Sequence, residues 1–308
     1  MNRSNNDNIV PKTEEAPQSL GGALLAHLRV SIVATVVLTI IVSGFYPAVV
    51  WGLAQALFHH QANGSLLKKD GSATDKDEEA VGSAYLGQSF SDPGYFHPRP
   101  SNAGSNGYDA TASGGSNYGP TSARLINGAT KKDDKGNEVV DFDGIHDRVV
   151  HYCLDNSIAF DSSVPFKQFT DAQGNPDDVK LIKGFNADTP LVITPKEPIP
   201  ADAVTMSASG LDPEISPANA ALQARRVAAA RNVSLEKVSA LIAEFTDGPD
   251  LGILGDPRVN VLKLNLALDA KYPAPPAPAT QPATQASTQP DTAPSASPST
   301  APAAAPGK

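Results

Sequence analysis

Cysteine is all but missing from this sequence: Cys153 is the only one in 308 residues. An intrachain disulfide and a cysteine-built metal cluster are therefore both excluded. Positive charge is scarce as well. Twenty-four Lys and Arg stand against 33 Asp and Glu, a net charge of -9, and no stretch gathers basic residues into a phosphate-binding stripe. Nucleic acid is thus not an expected partner. Also missing are the G-x-x-x-x-G-K-[ST] phosphate loop, the G-x-S-x-G nucleophile turn and the H-E-x-x-H zinc motif. The remaining polar residues read as structural. His146 and His151 are five apart, which sets them on different helical faces, so no metal ligands are assigned. His97 in "YFHPRP" reads as a hydrogen-bonding loop residue, and Asp141 and Asp143 in "DFDG" as a polar turn without the later ligands of a calcium loop. Cys153 reads as a small buried residue. No catalytic residues are assigned.

One apolar run is present. From Val30 to Phe58 no side chain is charged, and about 20 apolar residues suffice to span a bilayer. A signal peptide ending at Ala54-Gln55-Ala56 is the competing reading, but its apolar core is about 7–15 residues, shorter than this run. An uncleaved, lipid-embedded anchor is expected, with Tyr46 and Trp51 suited to an interface and Gly44 and Pro47 shaping a docking face. Arg29 is the basic residue nearest the span, which favours a cytoplasmic N-terminus.

Along the chain, residues 1–19 read as a disordered extension, 20–58 as the span with its flank, and 59–80 as a solvated linker. Residues 81–272 read as an α+β domain, mixed strand and helix, lying outside the cytoplasm. Its Gly- and Ser-rich first part suggests short strands and turns. Ser216-Pro217 signals a helix start, with Ala221, Arg225, Ala228 and Ala229 on its packing face and Asn232 at its end. A second helix begins at Ser234, with Leu235, Val238, Leu241, Ile242 and Phe245 at helical spacing. Asp256-Pro257 suggests a third helix, on which Val259, Leu262 and Leu266 share a face. Between the halves, about 130–198 reads as an inserted subdomain replaceable by a short linker. There "DDKGNE" and "DAQGNPDD" are turns, "VKLIKGF" and "PLVIT" strands, and "DGIHDRVVHYCLDN" a helix. The Pro/Ala/Thr-rich stretch 273–308 reads as a disordered tail.

"SGGSN", Ser113 to Asn117, has two readings. Adjacent glycines permit positive φ and a backbone nest for an anion, and they equally permit a tight turn. Read in order, "QANGSL", "GSAYLGQSF", "YFHPRPS", "ASGGSN", "VTMSASGLDPEISPANAA", "RVAAARNVS" and "VNVLKLNLALD" form a longer signature. The series resembles the C-subunit family of the Kdp-type potassium-transporting ATPases. The N-terminal extension, the 130–198 stretch and the tail are additions to that pattern.

The resemblance implies a single-pass protein of the bacterial inner membrane, a non-catalytic accessory subunit of an ATP-driven potassium uptake complex. Its implied partners are a channel-like potassium-conducting subunit and a P-type ATPase subunit. It also implies a catalytic-chaperone role that raises the affinity for ATP, with Gln88, Ser113, Gly114, Gly115, Ser116 and Asn117 as nucleotide-contacting positions. An outer-face domain cannot meet cytosolic ATP, so a second role stands beside that one. In it the domain stabilises the complex, and the "SGGSN" turn sets Arg99, Tyr108 and Tyr118 against the potassium-conducting subunit. A membrane-anchored module that binds wall polymers is the alternative from another class.

Overall fold

Pro47 cannot donate a backbone hydrogen bond, and in a regular α-helix its ring meets the carbonyl one turn earlier. The apolar run accommodates this by a local change of pitch. In the computed structural model, which describes residues 20–274, α1 (Leu20–Thr39) passes into a π-helical turn over Ile40–Phe45 and then into α2 (Tyr46–Leu57). The Tyr46 N–H reaches back five residues to the Ile41 carbonyl, the widened spacing that clears room before a proline. Gly44 sits within this turn with open space where a Cβ would be. The 31 residues from His27 to Leu57 are long and apolar enough to cross a membrane. At about 1.5 Å per residue they exceed the roughly 30 Å hydrocarbon core.

A one-turn helix α3 (His59–Ala62) leads into β1 (Leu66–Leu67), β2 (Ala73–Thr74) and β3 (Gly82–Ser83), which form an antiparallel sheet in the order β2-β1-β3. The 59–80 stretch, expected as a linker, thus contributes two strands, and Leu67 is buried against Leu262 and Leu266. After a long irregular segment come α4 (Ala123–Asn127) and the hairpin β4 (Ala129–Lys132)–β5 (Glu138–Phe142). Its turn is "DDKGN": Asp133 accepts from the Lys135 and Asn137 amides, and Gly136 takes φ 82°. Next are α5 (Ile145–Asp155), β6 (Phe160–Ser162), α6 (Asp178–Phe185) and β7 (Ile193–Pro195), with β6 and β7 paired. "VKLIKGF", expected as a strand, is α6. Asp177 caps it by accepting from the Lys180 amide, and Leu181, Ile182 and Phe185 are buried at helical spacing.

The last third holds α7 (Ala201–Val204), β8 (Glu214–Ile215), α8 (Pro217–Arg231), α9 (Leu235–Glu244), β9 (Thr246–Asp247), β10 (Arg258–Asn260) and α10 (Val261–Lys271). Ser216 accepts from the Asn219 amide and starts α8, and Asn232 ends it in the left-handed conformation. The packing face expected on α8 is displaced by about one residue. Of the expected residues only Ala228 is buried; Ala221, Arg225 and Ala229 are not, whereas Ala220, Gln223, Ala224, Val227 and Arg231 are. The expected helix at Asp256-Pro257 starts later. Residues 258–260 pair with β8 and β9, and Asn260, not Asp256, caps α10 through the Lys263 amide. Val259 therefore joins the main core from a strand, while Leu262 and Leu266 face Leu67.

The main core joins α8, α9 and α10 through Val227, Val238, Leu241, Leu264 and Leu268, with Phe96 inserted from the irregular segment. Val150, Leu181, Phe185 and Leu191 form a satellite core under the 130–198 stretch. That stretch is tied to the rest by polar contacts. Arg148 donates to the Val204 carbonyl at 3.0 Å, Tyr152 to Asn219 Oδ1 at 2.8 Å, and Arg226 Nε to Asn156 Oδ1 at 3.1 Å. The described residues belong to one compact unit. Replacing 130–198 by a short linker would strand these groups, in contrast to the tolerance expected of an insertion. The assignments to 1–19 and to most of 273–308 lie outside the described residues.

The Phe96 backbone depends on a single side chain. Asn265 accepts from its N–H at 2.8 Å and donates to its carbonyl at 3.0 Å. Asn265→Leu keeps a similar volume but leaves both groups buried and unpaired, at about 1–3 kcal/mol for each. We expect the urea midpoint of the detergent-solubilised chain to fall accordingly; a midpoint within error of the wild type would show that neither bond matters.

Candidate functional site: a clamped segment between two clefts

Residues 93–97, "PGYFH", belong to no strand. Buried backbone polar groups need partners, and side chains of α8 and α10 supply them. Gln223 accepts from the His97 N–H at 2.7 Å and donates to its carbonyl at 3.0 Å, repeating on the next residue what Asn265 does for Phe96. Arg226 donates to the carbonyls of Pro93 and Tyr95 at 2.7 and 2.9 Å. The wholly buried Arg231 side chain donates to the Gly94 carbonyl at 2.6 Å and to Asp269 at 2.8 Å, and its guanidinium lies 4.6 Å from the Tyr95 ring centroid. Burial lowers the His97 pKa, and the Arg226 charge adds to the shift. Its Nε2 sits 3.1 Å from the Asp92 carbonyl, in keeping with a hydrogen-bonding loop residue.

Downstream of the clamp, the segment borders two clefts. The smaller, about 310 Å³, lies between Gly115–Tyr118 and Thr205–Ala208. Here two donors of "SGGSN" turn onto its own chain: Gly114 N–H and Ser113 Oγ both donate to the Ser209 carbonyl, at 2.8 and 3.0 Å. Gly115 does not take positive φ. A Cβ there would stand 2.8 Å from the Ala208 carbonyl oxygen, so the glycine is needed for close approach. Positive φ falls instead on Asn117, at 57°. Gln88 is not among the residues of that cleft; its side-chain amide lies beside Gly82.

Arg99 and Tyr108 are also turned inward. Arg99 pairs with Asp212 at 2.7 Å, and Tyr108 donates to the Arg99 carbonyl. Burial raises the Tyr108 pKa, so the phenol stays protonated. Tyr118 is 38% exposed and meets Phe142 edge-on at 5.1 Å, with Arg124 over its ring. Cys153 is buried, its thiol pushed up to about 11 by desolvation, which leaves it an unreactive thiol.

The larger cleft, about 430 Å³, runs between the Pro98–Ser101 segment and α5. On its wall Asp147 and His151, one turn apart on α5, meet Asp178 at the start of α6. Ligand atoms of the three lie within 4.8 Å of one another. His151 Nε2 is 2.8 Å from Asp178 and 4.0 Å from Asp147. The Asp178 hydrogen bond raises the His151 pKa, whereas burial, with Asp178 nearby, pushes the Asp147 carboxyl up to about 7. Pairing His151 with His146 missed this group. The Asp147–His151 spacing was visible in the sequence, but Asp178 read as the end of the "DAQGNPDD" turn, before a helix that read as a strand.

Fold and clefts define a class: an α+β domain carried on one helix long and apolar enough to span a membrane. Comparison with known proteins identifies the family. The profile described as "K+-transporting ATPase, c chain" (KdpC) matches residues 28–142 and 172–270. Three similar proteins are each named Potassium-transporting ATPase KdpC subunit. That of Gemmatimonas aurantiaca is 41% identical over 247 residues, 80% of this chain and 94% of its own length. That of Caulobacter vibrioides is 43% identical over 250 residues, 81% and 96%. That of Mycobacterium tuberculosis is 40% identical over 246 residues, 80% and 97%. The chain belongs to the KdpC family. Among the described residues one helix is long and apolar enough to cross a membrane, which fits a single-pass membrane protein, and the wall-polymer alternative finds no support.

The two glycines of "SGGSN" should respond differently. Gly115→Ala pushes against the Ala208 backbone and should cost about 1–3 kcal/mol. A Cβ at Gly114 meets nothing nearer than 3.9 Å, so Gly114→Ala should be close to neutral. Parallel thermal melts check this; equal losses would contradict the close-approach reading.

Proposed function

We propose that the chain is a non-catalytic assembly subunit of an ATP-driven potassium transporter. It holds a channel-like potassium-conducting subunit and a P-type ATPase subunit together through its span and its outer-face domain. The observation that carries this reading is the span, whose apolar window is 0% buried by its own domain. The π-turn holds Gly44 with open space where a Cβ would be, a position at which a neighbouring helix can approach closely. Arg29, in the first turn of the span and just before its charge-free run, favours a cytoplasmic N-terminus in the bacterial inner membrane.

The catalytic-chaperone role then takes an indirect form. An effect on ATP affinity passes through helix docking to the ATPase subunit, without nucleotide at Gln88 or at Ser113–Asn117. The inward Gly114 N–H supports this, because it is one of the successive N–H groups that a phosphate nest would need free. Arg99 and Tyr108 support the shape of the outer face from within, and Tyr118 offers an exposed contact for the potassium-conducting subunit.

Two measurements on one preparation test the proposal. Gly44→Leu in the full complex should lower recovery of the two larger subunits from detergent, and calorimetric titration of the full chain with ATP should give no saturable heat. Normal recovery together with saturable ATP binding that Ser113→Ala weakens would overturn it in favour of direct nucleotide contact.

A further inference from the structure

Asp147 is a buried acid beside a second acid and an imidazole, with one of its oxygens unpartnered. The residue is 3% exposed, and its Oδ1 is buried with no hydrogen-bond partner. Burying an ionised carboxylate unpaired is expensive, and such groups are found with a cation, a hydrogen-bond partner or a metal. The nearby guanidiniums are committed elsewhere. Arg148 bonds Asp143 at 2.8 Å and the Val204 carbonyl at 3.0 Å. Arg99, across the cleft, bonds Asp212 at 2.7 Å. What faces Asp147 is a second carboxylate, Asp178, and the imidazole between them.

We propose that Asp147, His151 and Asp178 bind one divalent cation of the first transition row, with Zn²⁺ as the best fit. Two carboxylates balance the ion's charge, and His151 Nε2 supplies the third ligand. Zn²⁺ ligands at about 2.0–2.2 Å in tetrahedral geometry stand roughly 3.3–3.6 Å from each other. The His151 nitrogen lies 2.8 and 4.0 Å from the two carboxylates, on either side of that range, so small rotations of side chains complete the set. An imidazole among the ligands selects against Mg²⁺ and Ca²⁺, which prefer oxygen alone.

The scaffold is suited to the task. Asp147 and His151 are separated by one turn of α5, which places both on one helix face. Asp178 is the first residue of α6, and the satellite core of Val150, Leu181 and Phe185 fixes that helix against α5. A fourth position would open into the 430 Å³ cleft, where water or an anionic ligand can reach the ion. Asp147 and His151 fall between the two segments that the family profile matches, whereas Asp178 lies within the second. Two of the three ligands would thus come from the helix that the family profile leaves out, and the third from a segment it matches. A bound ion would pin α5 to α6, and through Tyr152 and Asn219 the helix that clamps residues 93–97.

The test uses the full chain in detergent, stripped with EDTA, dialysed and titrated with ZnCl₂ by calorimetry, with bound metal counted by mass spectrometry. His59 and His60 lie near Asp75, at 3.7 and 3.3 Å, and could take up zinc themselves. The titrations are therefore made in a His59→Gln, His60→Gln background. We expect one equivalent of Zn²⁺, undisplaced by excess Mg²⁺, with affinity about tenfold or more weaker in Asp147→Asn. Asp178→Asn should weaken it similarly. Asp178 is 43% exposed in its side chain, so this variant reports on binding even if Asp147→Asn fails to fold. Asp155→Asn, a cleft residue outside the triad, should bind as before. No saturable binding in the folded background protein, or binding unchanged in Asp178→Asn, would overturn the proposal.

Discussion

A buried segment without a strand neighbour must still satisfy its peptide groups, and here two carboxamides and two guanidiniums do so. Asn265 and Gln223 each offer one acceptor and one donor in the spacing of a peptide edge. Placed on α10 and α8, they grip the N–H and C=O of Phe96 and of His97. The grip inserts the Phe96 ring among the three helices, where it is fully buried. Arg226 and Arg231 take up the remaining carbonyls, and Asp269 neutralises the buried guanidinium.

Much of the domain hangs from that clamp. Pro98 to Ser101 leave it towards the larger cleft, and Ser101 then donates to the Gly210 carbonyl at 2.6 Å. The Gly-rich segment beyond reaches the same loop again through Gly114 and Ser209. On the other side Gln223 donates to Asn219 at 2.8 Å, which accepts from Tyr152 of α5. A polar network therefore joins the shared family motifs to the helix that the family profile leaves out. Buried networks of this kind are costly when half-satisfied and specify one arrangement when complete.

How much of this was legible in the sequence depended on the range of the interaction. Local chemistry was readable: the charge-free run, the Ser216 and Asn232 caps, and the Asp133 turn all followed from neighbouring residues. The site was less so. Gln223 and Asn265 look like ordinary polar residues on helices, because their partners are backbone groups 126 and 169 residues away. The "VKLIKGF" segment is too short for its period to decide between strand and helix, and the Asp177 cap decides it. At Gly115 the composition was right and the reason was not: the constraint is the Ala208 carbonyl, which no local pattern reveals. The sequence motifs carried the family; the inward direction of Ser113 and Gly114 required coordinates.

Side chains thus replace a strand in holding residues 96 and 97. Native-state hydrogen exchange measures this directly, because the Phe96 and His97 amides donate to side chains and not to a backbone acceptor. In the full chain both amides should exchange only on global unfolding, with the same free energy as core amides of α8 and α10. Exchange at the rate of an open loop, with those helices still protected, would contradict the clamp.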